Sequence, residues 1–201
     1  MLELIADEIK IIIETLNWSD QVVGIVMPVK IKVGDKDGTT TDKTVPGSYN
    51  KNPTTCNPGE IITFTPDTKK KSVVYQEAVS ESIQNEWDGF LEITAEIRIV
   101  AWLNLKRINK NIKDSILIQK NLIQNIPEQI TGISGLQKCD LHFQGITRSP
   151  EIFSAYTYDE AENQFLIYPF DYFALNYQVD YRTHKSCYEA ITINPDSCLR
   201  Y

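Results

Sequence analysis

Between residues 90 and 105 every odd position is apolar: Leu91, Ile93, Ala95, Ile97, Ile99, Ala101, Leu103 and Leu105. The positions between them include Glu92, Thr94, Glu96, Arg98 and Asn104. A two-residue period sends side chains to alternate faces of a β-strand, and a helix cannot match it. At ~3.3 Å per residue, an unbroken strand here would run roughly 50 Å. Ordinary strands are about 5–6 residues long. A strand of this length projects, bends or crosses a subunit boundary, and its odd positions are expected to face a core.

The remaining elements have to fit around that strand. Residues 2–16 carry Leu2, Ile5, Ile9, Ile12 and Leu16 at helical spacing, with Glu3, Asp7, Glu8, Lys10 and Glu14 elsewhere on the wheel. Ile11 and Ile13 widen the apolar stripe, which points to burial on more than one side. Residues 22–33 alternate as a strand, and Pro28, which lacks a backbone donor, calls for an edge or a bulge. Residues 34–60 contain only Val45, Tyr49 and Cys56 as apolar residues, so they read as a long polar loop inserted in the domain. Strand signals return at 61–65 and 73–75. A second helix is expected at about 112–125, capped by Asn111 with Asp114 at capping-box distance and ended by Pro127. Residues 128–150 read as irregular. Thr157–Asn163 looks like the turn of a hairpin, leading into Phe165 and Ile167, the interruption at Pro169, and an alternating strand from Phe173 to Tyr181. The 201 residues therefore predict a single α+β domain. Its sheet is mainly antiparallel with long strands, and an N-terminal helix and one central helix pack on it. The 26 isoleucines, stiff at the first torsion, agree with a strand-rich chain.

Twenty basic and 27 acidic residues give a net charge of −7. Such a surface does not favour broad contact with nucleic acid or anionic lipid. No apolar run approaches the roughly 20 residues needed to span a bilayer. The first residues are acidic rather than basic, unlike a secretory signal. Synthesis in a cytoplasm is the expectation, with Cys56, Cys139, Cys187 and Cys198 as reduced thiols; two disulfides are the alternative.

Few constellations carry chemistry. Cys139 and His142, and His184 and Cys187, have metal-ligand spacing within each pair. If CDLHF is a strand, however, positions i and i+3 face opposite sides and the pairs do not converge. Asp35, Asp37 and Gly38 open like a calcium loop but lack the later ligands, and a turn explains Asp-Gly better. Glu160 and Glu162 read as a solvated turn. No nucleotide-binding, hydrolase or metalloprotease motif occurs, so neither an enzyme nor a cofactor or metal is expected. Charge is segregated. Lys106, Arg107, Lys110 and Lys113 form a basic run, suited to phosphates or to an acidic partner. Window 151–180 holds nine Phe or Tyr residues, six acids and no Lys or Arg. Its strand aromatics Phe173, Tyr177 and Tyr181 can fill a core, while other tyrosines suit an interface.

The order helix, strand, polar excursion, strands, one very long strand, helix and Tyr-rich hairpin resembles the tail terminator and tail completion proteins of tailed bacteriophages. The closest local echo is the aromatic, alternating run from Phe165 to Tyr181. The excursion at 34–60 and the tail after 182 depart from the pattern, and long- and short-tailed phages are equally compatible. The resemblance implies a structural virion protein made in the host cytoplasm. It would form a ring in the head–tail neck beside portal, adaptor and tail proteins, and DNA would pass through without being read. The net charge of −7 fits a conduit that does not grip DNA. The expected ring contact joins Tyr156, Tyr158, Tyr168 and Tyr172 on one side to Lys106 and Arg107, or the first helix, on the other. The alternative is a soluble monomeric adaptor or inhibitor that binds one protein partner.

Overall fold

The structure is a computed structural model and describes residues 1–34, 40–49, 61–157 and 167–192. In chain order its elements are helix α1 (Leu2–Glu14) and strands β1 (Gln21–Gly34), β2 (Thr40–Tyr49), β3 (Ile61–Thr63), β4 (Ser72–Trp87) and β5 (Phe90–Asn104). Helices α2 (Leu105–Ile108) and α3 (Ile116–Asn125) follow. Strand β6 (Leu136–Thr147), a 3-10 helix at Pro150–Phe153, strand β7 (Phe170–His184) and helix α4 (Lys185–Thr192) complete the chain. The fold is α+β. The seven strands lie in the order β3-β2-β1-β4-β5-β7-β6, and every pairing is antiparallel except β1 with β4.

The long alternating strand is β5, and it is central. It pairs along its whole length with β4 on one side and β7 on the other. Asp88 and Gly89 both have positive φ (48° and 78°) and form the two-residue turn from β4 to β5. This is the backbone that a tight hairpin between twisted strands requires, and Asp-Gly tolerates it. The odd residues of β5 from Leu91 to Leu103 are all buried under α1 and α3, with Ile5, Ile9, Ile13, Ile118 and Leu122. The Trp18 indole donates to Asn121 Oδ1 at 2.9 Å and fastens the end of the first helix to the central one.

The opposite face holds a second core that the alternation does not announce. Val100 and Trp102, at even positions, are buried with Tyr75, Phe64, Ile152, Phe153 and Tyr156. The Trp102 ring stacks on Phe170 with centroids 5.0 Å apart.

Several expectations need correction. Residues 40–49 are not loop but strand β2, paired with β1 from Met27–Gly47 to Gly34–Thr40. Residues 35–39 and 50–60, including Asp35, Asp37 and Gly38, lie outside the described residues. Lys43 is buried in β2 at 7% exposure, so it is not the protease-sensitive position that an open loop would offer. The central helix begins at Ile116, not at 112. Ser115 is its N-cap residue, and Asp114 Oδ1 accepts from the Ile116 N–H at 3.0 Å. The span 128–150 contains the twelve-residue strand β6. Ile12 is only half-buried, and Ile13 takes its place in the core. Pro28 meets its expectation locally: β1 pairs with β4 only as far as Val26–Glu77, and from Met27 onward its described partner is β2 alone.

Candidate subunit interface

The end of β1–β4 pairing shapes the molecule. After Val26, β1 leaves β4 and continues as an arm with β2; after Glu77, β4 continues as an arm with β5. The outer edge of β4 from Ala78 to Trp87 has no strand beside it among the described residues. Every residue in that stretch is exposed, including Val79, Ile83 and Trp87 at 47%, 51% and 45%. Two bulges, at Val79 and Gln84, interrupt its ladder with β5. Bulges of this kind twist an edge and limit indiscriminate pairing.

The far half of the second sheet face is polar and knit together across strands. The Arg182 guanidinium donates to Glu92 Oε1 at 2.8 Å and lies 4.2 Å from the Trp87 ring centroid. That bond, helped by Asn85, holds the Glu92 carboxyl below the usual carboxylate range. Thr94 donates to Asp180 Oδ1 at 2.6 Å, and Lys138 pairs with Asp140 and lowers its pKa. On the helix-covered face, the Tyr181 hydroxyl donates to Glu81, and burial foremost pushes the phenol upward.

Glu77 sits where the arm departs. Tyr156 donates to its Oε1 at 2.7 Å, and Arg98 lies 3.5 Å from its Oε2. Burial outweighs both partners and raises its pKa. A carboxyl whose folded pKa exceeds its unfolded one contributes stability that is full below the unfolded value and lost as pH rises through the folded value. Glu77→Gln keeps an acceptor for Tyr156 and removes that loss. The stability of the variant relative to wild type should therefore increase between about pH 4 and about pH 7. Urea unfolding at the two pH values checks this, and a constant or shrinking difference would contradict it.

The six expected contact residues separate. Tyr156, 7% exposed, belongs to the second core, and Tyr172 packs against that core with its ring 5.4 Å from Phe153. Neither offers the free surface expected of it, because the 3-10 helix folds the start of window 151–180 back onto the sheet. Tyr158 lies outside the described residues, as do Glu160 and Glu162. Tyr168 is 53% exposed, but Lys106 Nζ stands 5.5 Å from its ring centroid within the same chain. The Leu105 N–H donates to the Pro169 carbonyl at 2.9 Å and locks the two segments together. The expected opposite sides of a head-to-tail contact are thus a single patch here. Arg107 Nε donates to the Thr68 carbonyl at 2.6 Å, so the basic run is anchored beside Lys69–Lys71.

Cys139 and His142 point to opposite faces of β6: Cys139 is 3% exposed in the core and His142 is on the polar face, 3.4 Å from Asp180. Burial pushes the Cys139 thiol up to about 12. Among the described residues no group of three metal-ligating side chains converges. No helix among them is long and apolar enough to cross a membrane. The chain matches no family model and no curated protein.

Sequence reasoning missed the outer half of β4 as a surface. AVSESIQNEW has no two-residue apolar period, and its one local signal is the Asp-Gly turn that follows it.

Proposed function

We propose that this protein is a structural, ring-forming subunit of a tailed-phage neck, of the tail terminator or tail completion kind. The observation that supports this reading is the β4–β5 arm. Ten consecutive residues of β4 are exposed along a sheet edge with no strand beside it among the described residues, and three of the ten are large and apolar. A solitary domain gains nothing from a long bare edge, which invites unwanted pairing. A subunit that places the edge against its neighbour buries both the apolar side chains and the unpaired backbone. Lys138–Asp140 on β6 and Arg182–Glu92 between β7 and the arm put ion pairs of both signs on the polar face, which suits packing or passage better than sequence-specific DNA contact.

Proteomics of purified virions, together with mass photometry of the isolated protein, tests the proposal. The expected result is the chain in multiple copies per particle. Its absence from particles, with a stable one-to-one complex with another protein, would favour the monomeric adaptor instead.

A further inference from the structure

We infer that the acidic β4–β5 arm of one copy docks on the basic end of the same sheet in the next copy. The inference rests on the ring reading above and names its contact. The basic end flanks the start of β4, just after Lys71, and the arm is the outer half of the same hairpin, which turns at Asp88. Fifteen steps of ~3.3 Å set the tip of the arm roughly 50 Å from the basic end. A contact between different places on identical subunits is heterologous, and it closes into a ring if the rotation allows.

The basic end is assembled by tertiary structure from two distant segments. Asn104 donates from its backbone to the Lys71 carbonyl at 2.7 Å, and from its side chain to the Thr68 carbonyl at 3.3 Å. These bonds, with that from Arg107 to Thr68, set Lys69–Lys71 beside Lys106 and Arg107, and Lys110 and Lys113 follow in the same segment. Among the described residues, none of these cations forms an ion pair with a carboxylate. In a chain of net charge −7, so concentrated a positive end has to be matched by excess negative charge elsewhere.

The arm supplies that negative charge. Glu86, Asp88 and Glu92 lie at its tip and Glu81 and Glu96 nearer its base, five acids against Arg182 and Lys185, which pair with Glu92 and Glu86 from the neighbouring strand and helix. Both surfaces also carry apolar side chains: Ile83 and Trp87 on the arm, and Tyr168 under Lys106 with its neighbour Ile167 at the basic end, each at least 45% exposed. Opposite charge around shared apolar contacts is the composition of a specific protein interface. A nucleic-acid phosphate would match the charge of the basic end but not the apolar residues there, nor the acidic arm.

Charge-swap variants of the full chain provide the test. One carries Lys69→Glu, Lys106→Glu and Lys110→Glu; the other carries Glu86→Lys, Asp88→Asn and Glu96→Lys, with Asn keeping the left-handed turn at 88. Sedimentation velocity at low ionic strength should show self-association of the wild type that weakens at least about tenfold in high salt. Each variant alone should be monomeric, because its two ends then carry like charge, and a mixture of the two should associate again. Circular dichroism verifies that both remain folded. A monomeric wild type, or variants that associate like the wild type, would overturn the docking pair. In the second case the ring reading survives with a different contact. Short duplex DNA is the third arm: if the basic-end variant loses DNA binding but self-associates normally, that end serves nucleic acid and the inference fails.

Discussion

Ile97→Asp should destabilise the protein by about 4 kcal/mol or more, because it places a carboxylate without a partner in the interior. Ile97 is 1% exposed in the middle of the central strand, between Ala78 on β4 and Tyr177 on β7. Its side chain joins the apolar core under α1 and α3, and the one buried cation among the described residues, Lys43, lies away in β2. A domain is typically stable by about 5–15 kcal/mol, so the variant should be largely unfolded or melt far below wild type. Glu96, the adjacent residue, is exposed, and Glu96→Lys should change stability by no more than about 0.5 kcal/mol. Thermal melting of the two variants decides the matter. Equal, small shifts would contradict the assignment of faces.

Trp102→Ala should cost about 3–5 kcal/mol, the usual range for emptying a large aromatic site. Trp102 is 1% exposed between Val73 and Tyr172 and stacks on Phe170. Trp87→Ala should cost the isolated subunit no more than about 1 kcal/mol, since that ring is half-exposed and touches only the surface residues Arg182, Phe90 and Glu92 among its described contacts. Denaturant midpoints for the pair separate a tryptophan that holds the subunit together from one that faces outward. Comparable losses would mean that the arm is packed within the subunit.

Trp102 also shows where the sequence stops being informative. The odd positions of β5 announce one core face because helices cover it along the whole strand. The even positions become buried only near the end of the strand, where Phe64, Phe153 and Tyr156 arrive from connecting segments. No period within β5 encodes that cover. Strand β6 was illegible for a different reason. Its pairing with β7 shifts register between Leu136 and Lys138 and again between Phe143 and Gly145. The apolar positions therefore move from Leu136 to Cys139, Leu141 and Phe143, and then to Ile146, and the alternation loses phase. The outer half of β4 has no covered face at all, so pairing with β5 holds it rather than any hydrophobic pattern of its own.

The residues proposed for a contact were legible in kind but not in place. The basic run at 106–113 was visible as charge. Its neighbours Lys69–Lys71 join it only through the hydrogen bonds that close the start of β4 against the end of β5. The acids proposed for that contact lie on the β4–β5 arm, interleaved with polar residues and inconspicuous in the chain. The aromatic window looked like a surface because its strand and its loop were read together. The fold sends Tyr156 and Tyr172 toward the second core and leaves Tyr168 outside beneath Lys106.

A cryo-electron reconstruction of the assembled particle from the source of this chain tests the ring proposal most directly. The expected result is a closed ring of copies around the DNA path, with Ala78–Trp87 of each β4 covered by the adjacent copy. A single isolated copy, with that edge facing solvent, would contradict it.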